Sequence, residues 1–306
     1  MEKISLIVPA YNEEQSLQFF YKEVRQVFNE LDFELIFIND GSQDKTAEIL
    51  ENLASKDEKV KVCHLSRNFG QQASILCGLA HAKGDAVIVM DADLQDPPSV
   101  ALQMIEKWKE GYAIVHGKRK KRAGESFFKK ATADLFYAFT RKITGLDLPS
   151  NVGDFKLYDR KVVDTLLSMP EHDRLIRIQA VWMGFKQAFI EFERPKRIAG
   201  TSHYTFKKMV SLAKAGVFPN TDFTATFPLK LGIFCTICSS ITYIIFIILS
   251  CFNVAFGGLI AWLFPTIAFA TGLILIGQGI SNIQTNMIYK ETQNRPIYIV
   301  EKTNNL

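Results

Sequence analysis

Cysteine is scarce in this sequence, with five residues in a chain of 306. The count is odd and three of the five lie in one apolar stretch, which is not the pattern of a disulfide framework and fits a reducing compartment. Cys235 and Cys238 form a C-x-x-C pair inside that stretch. Because no polar partner for the pair lies nearby, a redox or metal-binding role is the minor alternative to simple burial.

Two familiar signals are missing from the start of the chain. No G-x-G-x-x-G follows the first apolar run, which argues against a dinucleotide-binding dehydrogenase. Residues 1–12 also lack the charged start and long apolar core of a secretory signal, so we expect the amino-terminal part to stay in the cytoplasm. The net charge of +4 is too small to indicate a nucleic-acid partner.

Charge is absent between Leu231 and Tyr289, where the chain has no Asp, Glu, Lys or Arg. Leu231–Phe252 and a second segment within Leu259–Ile280 are each long enough to span a bilayer, which takes about 20 residues. Basic residues flank the pair and are missing from its connecting turn, which places both ends in the cytoplasm. The sequence thus predicts a multi-pass protein of the cytoplasmic membrane with its amino-terminal domain facing the cytoplasm. A buried helical hairpin is the alternative.

We divide the chain into four segments on this basis. Residues 1–200 form a cytoplasmic domain, 201–228 juxtamembrane amphipathic helices, 229–289 the two spans and 290–306 a cytoplasmic tail. The stretch 202–218 has an apolar helical face with lysines off it, which is typical of a helix lying in the membrane interface. A packed surface helix is the alternative for this stretch.

Short apolar runs alternate with helical patterns in the first third of the chain. This alternation predicts a mostly parallel sheet covered by helices on both faces. Ligands of such sheets bind beyond the carboxyl ends of the strands. The predicted strands are Ile4–Val8, Leu35–Ile38, Val60–Leu65 and Ala86–Met90, and the predicted helices follow the stripe from Leu17 to Leu31 and the stretches Ala47–Leu53, Ala73–Ala82 and Val100–Trp108.

Polar residues follow three of these strands. Asp91 and Asp93 come directly after the fourth, and Gln95 offers a further oxygen. Two carboxylates released from a strand end can converge on Mg²⁺ or Mn²⁺, which prefer oxygen ligands and keep positions open for phosphate. A solvated acidic turn is the alternative.

The ends of the first two strands suit a nucleoside. Tyr11 follows the first strand and offers a ring for stacking on a base, and the neighbouring acids offer oxygens to a ribose or a base edge. Asp40 follows the second strand and offers its carboxylate to the same ligand. An Asx turn with a helix cap is the alternative for Asp40.

Together these clusters resemble the family 2 glycosyltransferases, and more closely their polyprenyl-phosphate branch, which includes dolichol-phosphate mannose synthase and the bacterial undecaprenyl-phosphate glucosyltransferases. The resemblance covers nearly the whole chain, and the combination of motifs is far more specific than any one of them. The matching segments are Val8–Glu14 (VPAYNEE), Phe37–Thr46 (FINDGSQDKT), Ser66–Ser74 (SRNFGQQAS), Asp91–Pro98 (DADLQDPP), Asn151–Val163 (NVGDFKLYDRKVV) and Arg197–Lys208 (RIAGTSHYTFKK).

The resemblance implies a GT-A nucleotide-sugar transferase fold in residues 1–200. It implies inverting transfer of glucose or N-acetylglucosamine from a UDP-sugar to undecaprenyl phosphate, which gives a lipid-linked sugar for modification of cell-envelope glycans. The implied cofactor is Mg²⁺ or Mn²⁺. The implied partners are the nucleotide-sugar, the polyprenyl phosphate and the lipid bilayer, and a homo-oligomer is left open.

Roles for single residues follow from the same resemblance. Asp154 occupies the position of the acceptor-site acid, and we expect it to place the acceptor more than to remove a proton, because a phosphate monoester with a second pKa of about 6 is already largely ionised. A structural carboxylate is the alternative. His203 stands where relatives often have Lys, and no role is assigned to it. The implied nucleotide site is Pro9, Tyr11, Glu13, Asp40 and Asp91, the metal site Asp91, Asp93 and Gln95, and the phosphate-binding pair Arg119 and Arg197.

Two other functions fit parts of the pattern. A processive polysaccharide synthase usually has Q-x-x-R-W, but residues 179–182 read QAVW, and two spans do not easily build a channel. A non-catalytic nucleotide-binding membrane scaffold would be favoured by the loss of Asp91 or Asp93, and both are present. The basic run Lys118–Arg122 is expected to contact phosphate and anionic lipid, with a solvated charged loop and a nucleic-acid or nuclear signal as the alternatives.

Overall fold

The computed structural model describes residues 2–120, 152–171, 175–193 and 291–306, with isolated helical positions between 263 and 288. The chain divides into two units, one made of Met1–Ser211 with Arg295–Leu306 and the other of Leu212–Asn294. All the site residues discussed below that the structure describes belong to the first unit.

One mixed sheet organises the described part of the first unit. The strands are β1 Ile4–Ala10, β2 Phe33–Asn39, β3 Val60–Leu65, β4 Ala86–Val89, β5 Ile114–Arg119, β6 Val152–Asp159, β7 Gln187–Phe192 and β8 Val300–Asn304. Their spatial order is β7-β5-β6-β4-β1-β2-β3-β8. The central strands β4, β1, β2 and β3 are parallel, and so are β5 and β7. Strands β6 and β8 run antiparallel to their neighbours.

Helices cover both faces of this sheet. They are α1 Leu17–Val27, α2 Thr46–Lys56, α3 Gln71–His81, α4 Pro98–Lys109, α5 Arg160–Ser168 and α6 Ile176–Trp182. Alternate residues of β1 enter different apolar clusters, with Leu6 and Val8 on the side of α1, α2 and α4, and Ile7 on the side of α3, α5 and α6. The prediction of an α/β fold with a mostly parallel sheet is therefore confirmed, and the four predicted strands end within two residues of the observed ones.

The sheet has a switch point at β1, which lies between β2 and β4. In chain order, β2 and β3 lie on one side of β1, and the next strand, β4, lies on its other side. In open sheets of this kind, ligands bind beyond the carboxyl ends of the strands at such a point. The residues that follow β1, β2 and β4 therefore meet at one edge of the sheet.

Strand β8 lies in the segment 290–306 that the sequence analysis assigned to a tail. It pairs with β3, and the Asn305 side-chain amide donates to the carbonyl oxygens of Ala54 (2.7 Å) and Val60 (2.9 Å). Its sequence is VEKTN. This short polar strand has no run of apolar residues, which explains why the sequence pattern did not predict it.

The prediction of a multi-pass membrane protein is contradicted and has to be corrected. A span needs about 20 apolar residues in continuous helix. Among the described residues, no helix is both long enough and apolar enough to cross a bilayer. The six helices α1 to α6 have at most 12 residues each. Most of the uncharged stretch from Leu231 to Tyr289, on which the prediction depended, and all of 202–218 lie outside the described residues.

A buried carboxylate joins the strands at the amino-terminal edge of the sheet. The Glu34 side chain is 2% exposed. It accepts hydrogen bonds from Lys61 Nζ (2.7 Å), Ser5 Oγ (2.5 Å) and the Lys83 backbone N–H (2.7 Å). Burial alone would raise the pKa of Glu34, but these donors outweigh burial and lower the pKa to about 2. The charged form of Glu34 therefore stabilises the contacts between β1, β2, β3 and the turn before β4.

We predict that Glu34→Gln lowers the free energy of unfolding at pH 7 by about 2 kcal/mol, because the half-buried Lys61 loses its charged partner. Since folding lowers the pKa of Glu34, its stabilising effect is complete above the ordinary value of 4.5 and disappears as the pH falls towards about 2. Denaturant unfolding at a series of pH values should show this decline in the wild type and a smaller one in the variant. Glu30→Gln, at an exposed position, is the control. Equal pH profiles for wild type and Glu34→Gln would contradict the assignment.

Candidate active site

A cavity of ≈ 410 Å³ opens beyond the carboxyl ends of β1, β2 and β4. Six residues predicted from the sequence line it, namely Pro9, Tyr11, Glu13, Asp40, Asp91 and Asp93. Ala10 of β1 also lines the cavity, and so do four residues of the segment Ser66–Ser74 to which the sequence analysis assigned no role, namely Asn68, Gly70, Gln71 and Ser74.

Asp40 connects β2 to the start of α3. Its Oδ1 accepts from the Phe69 backbone N–H (2.7 Å) and its Oδ2 from the Gly70 N–H (2.9 Å). Burial raises the pKa of Asp40, although these hydrogen bonds favour the charged form. The Asx turn considered for Asp40 is not seen, since both of its oxygens accept from residues 69 and 70. The loop after β2 is closed by the preceding residue, because the Ser42 N–H donates to Asn39 Oδ1 (3.1 Å). Asp40 therefore lines the cavity and also anchors the loop that leads into α3.

The loops after β1 and β2 are joined by reciprocal hydrogen bonds. The Asn12 N–H donates to Ser42 Oγ (3.0 Å), and Asn12 Oδ1 accepts from the Gln43 N–H (2.9 Å). Asn12 has a φ of 55°, a left-handed conformation that Asn tolerates better than most residues. These contacts hold the backbone directly after Tyr11, whose side chain stays 41% exposed. An exposed ring on a fixed loop is suited to stacking on a base.

The two acids after β4 occupy different surroundings. Asp93 is 5% exposed, and its Oδ1 accepts from the Gln95 backbone N–H (3.0 Å). Asp91 Oδ1 accepts from Gln71 Nε2 of α3 (3.1 Å). Both acids line the cavity, whereas Gln95 is buried and is not among the lining residues. The two carboxylates supply the oxygen donors that a hard divalent cation prefers, and such a cation commonly takes its remaining ligands from substrate phosphate and water.

Asp154 lies on β6, next to β4. The antiparallel register ends with Val89 opposite Lys156, and Asp154 lies two residues before Lys156 on β6. The Asp154 side chain is 12% exposed, and its Oδ2 lies 3.3 Å from both Gln72 Nε2 and an Arg177 guanidinium nitrogen. Asp154 is not among the cavity-lining residues, but its partner Gln72 follows Gln71, which contacts Asp91.

The basic residues of the run Lys118–Arg122 do not line the cavity as far as they are described. Arg119 Nη2 lies 2.8 Å from the position that a Cβ on Gly153 would occupy. The Arg119 guanidinium therefore packs directly against Gly153, the residue before Asp154. Lys118 forms an ion pair with Glu191 (2.8 Å). Arg197, the second predicted phosphate-binding residue, lies outside the described residues.

A further group of ligand-type atoms lies inside the apolar core. Cys63, Cys77 and His81 offer atoms within 4.8 Å of one another, and the two thiols are buried 3.3 Å apart. His81 Nδ1 donates to the Cys77 carbonyl oxygen (2.8 Å), one turn earlier in α3. Because that nitrogen is already used within the helix, we interpret the group as core packing.

Comparison with known proteins agrees with this geometry. The model of glycosyl transferase family 2 matches residues 5–167. An uncharacterized glycosyltransferase of Bacillus subtilis is 40% identical over 98% of this chain and 93% of its own length. The SfII prophage-derived bactoprenol glucosyl transferase of Shigella flexneri is 38% identical over 98% of both chains.

The chain belongs to glycosyl transferase family 2. The recognition made from the motifs is thereby confirmed, and the protein is a glycosyltransferase. The crystal structure of a mycobacterial protein resembles it with a TM-score of 0.50 at 16% identity, covering 70% of this chain and 72% of that one, a likeness that concerns the fold alone. The GT-A prediction holds for the α/β domain, whereas the predicted transmembrane hairpin is not supported.

We predict that Gly41→Ala disturbs this family 2 site. Gly41 has a φ of +64°, and an added Cβ would lie 2.6 Å from the Asn68 backbone N and closer still to the Arg67 carbonyl carbon. Because both atoms are backbone, the β3–α3 loop has to move away from Asp40. Thermal unfolding should show a loss of about 2 kcal/mol, and transferase activity should fall.

Gly111→Ala is the matched control for this prediction. Gly111 also has a positive φ (+91°), but no atom lies within 4 Å of the added Cβ. This variant reports the cost of the backbone conformation without the clash, and its activity should stay near that of the wild type. Equal losses of activity in the two variants would contradict the proposed contact.

Proposed function

We propose that this protein transfers a hexose, glucose above all, from a UDP-sugar to a polyprenyl phosphate with inversion at the anomeric carbon. The observation that supports the proposal most is the cavity at one edge of the sheet, which Tyr11, Asp40, Asp91 and Asp93 line. Asp154 lies on the strand β6 that pairs with β4. The full-length similarity to a protein named as a bactoprenol glucosyl transferase supports the same acceptor class and the choice of glucose.

The donor half of the reaction is assigned to the cavity. In this proposal Tyr11 stacks on the uracil, and Pro9, Glu13 and Asp40 border the nucleoside. Asp91 and Asp93 hold Mg²⁺ or Mn²⁺ against the diphosphate, with Gln95 as a proposed third ligand. The bound cation would stabilise the negative charge that develops on the departing UDP.

The acceptor half is assigned to the neighbourhood of Asp154. The attacking phosphate is largely ionised near neutral pH, so no strong general base is required. Asp154 then serves to orient the phosphate for attack on the sugar carbon from the face opposite the UDP. Arg119, which packs against Gly153, and Arg197 are proposed to contact phosphate groups. A single in-line displacement of this kind inverts the anomeric configuration and needs no enzyme nucleophile.

We predict that transfer requires a divalent cation and that Asp93→Asn lowers turnover by about 100-fold or more, because the cation loses a charged ligand where charge develops. Turnover of UDP-glucose with undecaprenyl phosphate should stop in excess chelator and return with Mg²⁺ or Mn²⁺. Asp164→Asn is the control, since Asp164 is 62% exposed on α5. Full wild-type turnover in excess chelator would disprove the metal site.

We predict that Asp154→Asn lowers turnover by about 100-fold or more while UDP-glucose affinity is retained, since orientation of the reactants is lost but the cavity is untouched. Product formation and donor affinity should be measured on the same preparation, and the anomeric configuration of the lipid product determined by NMR. Unchanged turnover would remove Asp154 from the acceptor site. A product that retains the donor's configuration would refute the single displacement.

A further inference from the structure

The side chain of Gln72, in the first turn of α3, is held at both ends of its amide. Its Nε2 donates to Asp154 Oδ2 (3.3 Å), and its Oε1 accepts from the Ile176 backbone N–H at the start of α6 (3.2 Å). Because the donor and the acceptor end each have a partner, the orientation of the amide is determined. Gln72 thus connects β6 to α6 through the predicted acceptor-site acid.

The preceding residue makes the equivalent contact on the donor side. Gln71 Nε2 donates to Asp91 Oδ1 (3.1 Å). Consecutive helical residues point roughly 100° apart, so one turn of α3 reaches the ends of two different strands. The start of α3 is itself held by Asp40, which accepts from the Phe69 and Gly70 N–H groups. The two carboxylates are therefore linked through two adjacent side chains of one anchored helix.

The two contacts of Asp154 engage the same oxygen. Gln72 and Arg177 each approach Oδ2, and among the described residues no donor is assigned to Oδ1. Lys156, two residues further along the same face of β6, is 1% exposed, and burial lowers its pKa to about 8. Arg177 and Lys156 are thus two basic groups near a single carboxylate. This arrangement holds Asp154 through one oxygen and leaves the other for a ligand.

We infer that Gln72 is a positioning residue for sugar transfer, which with Arg177 holds Asp154 by Oδ2 so that Oδ1 faces the acceptor phosphate. Together with Gln71 it keeps Asp154 in register with Asp91 and hence with the donor. The inference rests on the proposed function, because it takes Asp154 as the acceptor-site acid. It adds the residues that determine where that acid stands.

Gln72→Met tests the inference, because Met has a similar length and cannot form either hydrogen bond. With UDP-glucose and undecaprenyl phosphate, we expect kcat/KM for the acceptor to fall by about 10- to 100-fold, the range expected for the loss of a hydrogen bond to a charged group. The KM for UDP-glucose should stay within about twofold. Gln71→Met is the matched control on the same helical turn. Because Gln71 contacts Asp91, this variant should instead raise the KM for UDP-glucose and the metal concentration that activity requires.

A second variant separates positioning from simple packing. Gln72→Glu keeps the shape of the side chain but places a negative charge 3.3 Å from Asp154. If Gln72 acts through Asp154, Gln72→Glu should lose clearly more activity than Gln72→Met. If the residue only packs α3 against α6, the two variants should be about equally impaired. Unfolding midpoints measured alongside correct each activity for the folded fraction.

A double-mutant cycle completes the test. In the Asp154→Asn background, Gln72→Met should change turnover by less than about threefold, since the group it positions has been removed. The same fold loss in both backgrounds would overturn the inference and leave the proposed function intact. Full turnover of Asp154→Asn alone would instead refute the acceptor-site role of Asp154, and with it the proposed function.

Discussion

The hydrogen bonds from Phe69 and Gly70 to the Asp40 carboxylate are the contact on which the site depends. They attach the amino-terminal end of α3 to the carboxyl end of β2. Every contact from α3 to the strand ends follows from that attachment, including those of Gln71 and Gln72. A parallel sheet brings several strand ends to one edge, but it does not set the spacing of side chains there. In this protein α3, anchored at its start by Asp40, sets that spacing.

This arrangement requires a backbone that few residues tolerate. Gly41 must be without a side chain because the Arg67–Asn68 backbone lies against it, and Gly70 has a φ of +97° directly before α3. Asp40 is almost completely buried, and desolvation opposes its charge. Strain and buried charge of this kind reduce stability and persist where the surrounding structure determines them and function uses them. The apolar clusters on the two faces of the sheet offset this loss of stability.

Much of the fold and the donor side of the site could be predicted from local sequence. β1 to β4 are short apolar runs, and the residues that leave their carboxyl ends converge because parallel strands end at one edge. The contacts of Gln72 could not be predicted in this way. They join Gln72 to Asp154, 82 positions along the chain, and to Ile176, 104 positions along, and such distant pairs leave no periodic pattern in the sequence. β8 was missed because it is polar. The membrane location was inferred from the composition of residues 231–289, and among the described residues no helix is long and apolar enough to cross a bilayer.

Strand β8 also has a consequence for how the chain reaches its folded state during synthesis. Asn305 binds backbone carbonyls of residues that precede it by up to 251 positions, and β8 covers the outer side of β3. Until residues 300–306 have been synthesised and β8 has formed, β3 is the open edge of a growing sheet, and open edges recruit strands from other chains. A nascent or truncated chain that lacks residues 300–306 would therefore be exposed to intermolecular pairing at β3. The segment 300–306, although mostly polar, thus protects that edge against aggregation.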